Sequence, residues 1–358
     1  MLPEGKDRRF WGWLAGFALA ALALWQLHSI LLPFVAGLAI AYLLDPVARR
    51  LQKLGLSRLM ATAAITLGFF GLAVVALLLL LPLIEAQVVS FIQNLPAIGE
   101  GLSRRAQPLW QAAAEKLAPE DIERIRNAAG NYAGTLVNWV VSFFSRLLTG
   151  SLVVINILSL IFITPIVTFY LVRDWGKLTK RVDSWLPRDH AALIRAQLTE
   201  IDRTLAGFLR GQALVCLILG LFYAIGLTSV GLNLGLIVGF SAGFLSFIPY
   251  LGSISGFVVG VGLALAQSSD WTLPVLVAGV FIVGNVIEGN YLSPKLVGEQ
   301  IGLHPVWVMF ALLAGGALFG FMGMLLALPV AAVAGVVSRF LLQRYLASSY
   351  YRGDGSGG

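Results

Sequence analysis

A chain of 358 residues with 58% hydrophobic and 12% charged side chains, at a mean hydropathy of +0.85, is too apolar for a soluble domain, where about 45–50% apolar and about 25% charged is usual. The net charge of +7 does not point to nucleic acid, because the basic residues sit in clusters beside apolar runs and not in one patch interleaved with aromatics. A single cysteine, Cys216, excludes an internal disulfide, and three separate histidines (His28, His190, His304) without HExxH or CxxC spacing give no reason to expect a metal or other cofactor.

The first part, residues 1–84, reads as membrane-spanning scaffold. Lys6, Arg8 and Arg9 precede an apolar run at 10–27, and the small-residue triplet Ala18-Leu19-Ala20 lies inside that run, so an uncleaved first span is expected. A second run covers 29–44. Asp45-Pro46 then predicts a helix stop at the inner interface, with Asp45 beside Arg49, and Arg50, Lys53 and Arg58 follow before a third run at 59–84.

Residues 85–149 carry mixed charge and are assigned to the outer side. Pro119, Asp121 and Glu123 suit a helix start, and Ile122, Ile125, Ala129, Tyr132, Leu136, Val140 and Phe143 recur at three- and four-residue steps. An amphipathic helix at the outer leaflet is predicted. Residues 150–189 hold a span at 150–172 and a cytoplasmic linker with Arg173, Lys177, Lys180, Arg181 and Arg188. Residues 190–211 predict a second amphipathic helix, with Ile194, Leu198, Ile201, Leu205 and Phe208 on its apolar face and Asp189 as cap.

Residues 212–345 are the most informative. From Ala213 to Ile287 the only charged side chain is Asp270, and apolar runs fall at 212–229, 233–248, 252–267, 272–288, 304–319 and 321–343. Gly231, Gly235, Gly239 and Gly243 recur every fourth residue. Then comes Ile248-Pro249-Tyr250-Leu251, and the spacing resumes at Gly252, Gly256 and Gly260. Such stripes let helix backbones approach closely where lipid offers no hydrophobic drive. A proline break in hydrocarbon survives only where protein or a water-filled cavity surrounds it. A 16-residue run reaches about 24 Å against a hydrocarbon core of about 30 Å, so 233–267 is either two tilted spans or a re-entrant hairpin with its tip near Pro249. Gly315, Gly316, Gly320 and Gly323, followed by Pro329, predict a second interrupted block. Residues 346–358 form a tail ending in a flexible, glycine-rich stretch. With every Lys/Arg cluster placed inside and 233–267 taken as a hairpin, both termini are cytoplasmic.

Polar residues interrupt this block at Asn285, Glu288-Gly289-Asn290 and Ser293-Pro294-Lys295. A carboxylate ending an apolar run is costly to desolvate, so Glu288 should face a cavity, pair with Lys295 or titrate. One reading makes Glu288 a cation or proton site with Asn285 and Asn290 as neutral ligands, and the other makes it an interfacial cap or ion-pair partner. Gly289 and Pro294 permit irregular backbone there. His304-Pro305 suits a helix start or a titrating coupling group. No phosphate-binding loop is present, which excludes ATP-driven transport by this chain alone. A Ser/His pair, zinc motif or paired aspartates for intramembrane hydrolysis is also missing from the apolar runs, so no enzyme is expected. The composition predicts an all-α, polytopic integral membrane protein with broken helices and amphipathic interfacial helices. Two function classes stay open: a secondary transporter, and a passive channel or membrane scaffold.

The ordered strings Asp202-Arg203-Thr204-Leu205-Ala206-Gly207-Phe208-Leu209-Arg210-Gly211-Gln212, Phe247-Ile248-Pro249-Tyr250-Leu251-Gly252, Glu288-Gly289-Asn290-Tyr291-Leu292-Ser293-Pro294-Lys295 and Gly302-Leu303-His304-Pro305-Val306-Trp307 closely resemble the autoinducer-2 exporter family, also called PerM-type permeases. The resemblance runs from about Tyr42 to Arg339. It implies a bacterial inner-membrane carrier of about eight spans, homo-oligomeric, for example pentameric, with an elevator-like transport movement. The cargo it implies is a small solute such as autoinducer-2, or monovalent cations (sodium) exchanged for protons. Beside the lipid bilayer, those are the partners expected. In this frame Glu288, Asn285, Asn290, Lys295, His304, Pro249 and Tyr250 are the candidate binding or coupling residues. Asp202, Gly207, Arg210, Gln212, Gly252, Gly289, Pro294, Gly316 and Gly320 are candidate structural or hinge positions.

Overall fold

The structure is a computed structural model that describes residues 31–114, 151–268, 270–297 and 302–352. The predicted first span at 10–27, the amphipathic pattern at 122–143 and the end of the tail lie outside these residues. The described elements are all helical: α1 Leu31–Lys53, α2 Arg58–Ala114, α3 Ser151–Ser184, a 3-10 turn Arg188–His190, α4 Ala191–Ser229, α5 Gly235–Leu245, α6 Leu251–Gln267, α7 Thr272–Ile287, a π-helical segment Glu288–Val297, α8 Pro305–Leu346 and α9 Ser349–Arg352. Five stretches among them are long and apolar enough to cross a bilayer, so the chain is an all-α, multi-pass membrane protein.

Contacts divide the chain into two compact units. One draws on Met1–Gly68, Ser159–Arg210 and Glu299–Gly358, the other on Phe69–Leu158 and Gly211–Gly298. Residues 212–345, grouped together from sequence, are thus shared out, with 233–267 in the second unit and 304–343 in the first. α4 is continuous across residues 211 and 212, where the sequence suggested a change from amphipathic helix to span.

In the first unit α1 does not stop at Pro46 but runs on to Lys53. A proline inside a helix leaves the carbonyl four residues back without its N–H. Here that carbonyl belongs to Tyr42, and Arg210 Nε donates to it at 3.0 Å. The helix can therefore continue, and Asp45 is kept for other work: it accepts from Arg58 at 2.8 Å and pairs with Arg49 at 2.6 Å. Replacing Arg210 by Met should lower stability by about 1 kcal/mol, the usual worth of one such hydrogen bond. In a Pro46→Ala background, which restores the missing N–H, the loss should shrink markedly, as a double-mutant thermal-unfolding cycle would read.

α3 and α4 meet at a corner closed by Arg195, which bonds both carboxylate oxygens of Asp183 and thereby holds that carboxyl below the usual carboxylate range. Asp189 does not cap α4. It lies in the 3-10 turn after Pro187, where no side chain caps the helix. Leu198 is 44% exposed, while Ala191, Ala206, Phe208 and Leu209 make the buried side of this stretch. Of the expected apolar face, Phe208 is buried and Ile194, Ile201 and Leu205 are half-buried, so Leu198 is the member that falls outside it.

α8 breaks at Gly320, whose φ of 59° and ψ of −141° reverse the chain. Gly315 and Gly323 lie back to back, and Gly335 faces Leu303, so residues 305–319 and 321–346 run antiparallel. Each pairing has the same residue sum, as one antiparallel register demands. The arm 305–319 spans about 23 Å, so α8 is a helical hairpin whose first arm is too short to cross the hydrocarbon.

The second unit carries the fourfold glycine spacing. Gly235, Gly239 and Gly243 of α5 pack directly on the α4 backbone, opposite Leu227, Ala224 and Gly220 in turn. Gly256 and Gly260 of α6 face Phe281 of α7. Leu219, Tyr223, Leu227, Ala242, Ala264, Val277 and Phe281 fill the space between these helices. α5 and α6 form a hairpin with its tip at residues 246–250. There Tyr250 sits at φ 67°, and the buried amide of Gln212 donates to Ser246 O at 2.6 Å, so the broken backbone is satisfied by protein. At the other end Gln267 bonds Asn233 N and Gly231 O, both at 2.7 Å.

Candidate functional site

The polar insertion begins where α7 changes its winding. A π-helical segment shifts hydrogen bonds from i+4 to i+5 and is common at functional sites. Glu288 opens it, and Ser293, Pro294 and Lys295 lie within it. This stretch runs antiparallel to α4. A Cβ built on Gly226 would lie 2.9 Å from Val280 Cγ1, one on Gly284 would strike the Tyr223 ring, and one on Gly211 would strike the Leu296 carbonyl. That register sets Glu288 level with Ile218 and Leu219 of α4.

Glu288 is half-buried and turned toward α4; its backbone N–H donates to Asn285 O and Gly284 O, but its carboxylate makes no hydrogen bond or ion pair with any described residue. In particular it does not pair with Lys295, which is exposed. Asn285, Gly289 and Asn290 are exposed, on the side away from α4, and neither asparagine side chain bonds the Glu288 carboxylate. The structure thus brings Glu288 to the helix interface and leaves its predicted amide partners outside it.

The other predicted residues lie elsewhere. Pro249 is half-buried and Tyr250 54% exposed at the α5–α6 tip, where Gly252 packs against Ala242 and Ser246. His304 caps α8, its Nδ1 accepting from Val306 N at 3.4 Å, with Pro305 in the first turn. Asp202 accepts from the Tyr42 hydroxyl at 2.9 Å, and Gly207 is half-buried one turn short of Arg210. Gly316 faces Met324, and Gly320 is the turn of the α8 hairpin. That hairpin holds a cavity of about 900 Å³ that is largely apolar, from Phe319 and Met322 near the tip to His304 and Arg339 at the open end.

The fold and these strings can be set against known proteins. The model of the AI-2E family transporters matches residues 14–343. The chain belongs to this family. It is 33% identical over 314 residues to the provisionally named transport protein YrrI of Bacillus subtilis, covering 87% of this chain and 86% of that one. It is 27% identical over 320 residues to the provisionally named permease PerM of Escherichia coli K12, covering 89% and 88%. A Synechocystis protein provisionally named for transport, sll0060, is 28% identical over 350 residues, covering 92% and 96%.

Two residues of this AI-2E protein matter to the site without having been singled out from sequence. Gly211 was visible only as the glycine within Arg210-Gly211-Gln212. It is buried, and its missing side chain leaves the room in which the Leu296 carbonyl of the π segment lies. Gly211→Ala should push the segment away and lower transport at least tenfold in vesicles, while Gly289→Ala, where nothing among the described residues lies within 4 Å, should be near neutral. Tyr223, the other, had no local signal at all.

Proposed function

We propose that this protein is a secondary transporter in which Glu288 binds the coupling ion or a polar part of the solute. One observation carries the reading. A half-buried carboxylate without a cationic partner among the described residues opens a π-helical segment inside an apolar helix bundle. Intramembrane carboxylates are costly and mark ion and solute paths. Two glycine-lined helical hairpins with non-helical tips, at Tyr250 and Gly320, support it, since broken helices are how carriers expose backbone groups at depth.

The cargo proposed is a small solute such as autoinducer-2, or monovalent cations exchanged for protons, moved by an elevator-like shift of one helical unit. The protein works in the bacterial inner membrane as a homo-oligomer, with both termini cytoplasmic. The test is Glu288→Gln in reconstituted vesicles, with autoinducer-2 uptake and sodium-driven proton movement as readouts. Undiminished, pH-independent flux would remove the coupling role.

A further inference from the structure

We propose that the Tyr223 hydroxyl is the second oxygen of the Glu288 site and that the two together bind a monovalent cation. The inference rests on the reading of Glu288 as a binding group.

The geometry comes from the antiparallel register of α4 and α7. Side chains on a helix lean toward its N-terminus. Tyr223 therefore leans along α4 toward Gly220 and Leu219, the side on which Glu288 lies. Glu288 leans along α7 toward the level of Gly284, which is that of Tyr223. The two converge from opposite helices, and the missing side chain of Gly284 leaves the space that the tyrosine ring and hydroxyl enter. A Cβ there would lie 2.6 Å from the hydroxyl oxygen. Glu288 is within electrostatic reach of both Tyr223 and Cys216 on this face of α4.

The Tyr223 hydroxyl is an independent pointer to a ligand. The side chain is 0% exposed, its ring packs 4.8 Å from Phe281, and its hydroxyl has no hydrogen-bond partner among the described residues. A buried, unsatisfied polar group is destabilising, so a phenylalanine would serve the core better unless the oxygen has a ligand to meet. Cys216 does not compete for that role, because its thiol is turned to Phe244 O at 4.0 Å. One carboxylate with one neutral hydroxyl balances a single positive charge. Divalent ions gather more carboxylates, and no group of three or more acidic, His or Cys residues occurs among the described residues.

The experiment uses the full chain purified in detergent, melted with increasing sodium chloride against choline chloride at equal ionic strength. A bound ion raises the melting temperature with its saturation. Wild type should show a sodium-specific rise. Tyr223→Phe should melt at or above wild type without sodium, and should need about tenfold more sodium for the same rise. Glu288→Gln should lose the rise. A Tyr223→Phe protein that keeps the wild-type sodium dependence overturns the proposal, even if it melts lower, since that is what a purely structural tyrosine would do. If Glu288→Gln also keeps the full sodium response, the reading of Glu288 falls with it. No sodium-specific rise in wild type overturns the cation site outright.

Discussion

Gly239→Val should destabilise the second unit by about 3 kcal/mol or more, the upper end of what overpacking costs, and much of the protein should fail to fold. A Cβ at this position would strike Ala224 N and Cα and the Tyr223 carbonyl carbon, all backbone atoms of α4. A side chain in the way could rotate, but a helix backbone can only move as a body, and moving α4 from α5 would open the core around Leu219, Tyr223 and Ala242. The gain in helix propensity on losing a glycine, at most about 1 kcal/mol, is too small to offset this. Gly262→Ala is the matched control, because its Cβ meets nothing within 4 Å among the described residues, and it should be neutral or stabilising. Thermal unfolding with size-exclusion recovery would check both. A Gly239→Val protein that melts like wild type would mean that α5 does not rest on α4.

The second large effect is expected at Glu288 and should fall on transport alone. Gln keeps the size and shape of the side chain, so packing against α4 is preserved. Removing a half-buried charge that has no ion-pair partner among the described residues should leave stability equal or raise it slightly. Flux into vesicles should drop at least tenfold and lose its pH dependence, because a neutral amide neither binds a cation strongly nor carries a proton. Equal loss of flux and of melting temperature would instead mark Glu288 as structural. Saturable, exchange-stimulated flux in the wild type separates this carrier reading from an open channel, which would give ohmic current.

Much of the architecture could be read locally. Glycine at every fourth residue predicted close backbone contact, and Pro249 predicted a break. Both follow from properties of single residues and the helical period, and both are present in the α5–α6 hairpin and in the seat of Gly235, Gly239 and Gly243 on α4. Gly231, by contrast, is a turn residue at φ 83°, and Gly256 and Gly260 meet the Phe281 ring rather than a backbone. His304-Pro305 is a helix start, as its local chemistry required. Asp45-Pro46 misled, because a helix-breaking proline is decided by who supplies the missing donor, and Arg210 lies far along the chain. Leu198 misled similarly. Its periodicity was right for a helix but could not say which side of that helix would be covered.

The sequence by itself determined that this is a multi-pass, all-helical membrane protein with two interrupted glycine-rich blocks and one costly carboxylate, and its ordered strings pointed to the transporter family. These follow from composition, period and the energetic cost of polar groups in hydrocarbon. Tertiary structure alone decided that Glu288 lies on the α4 side of its helix while its neighbouring asparagines do not, and that Gly211 admits the π segment. Periodicity sorts residues onto faces, but which faces meet, and in what register, is set by packing between segments distant in the chain.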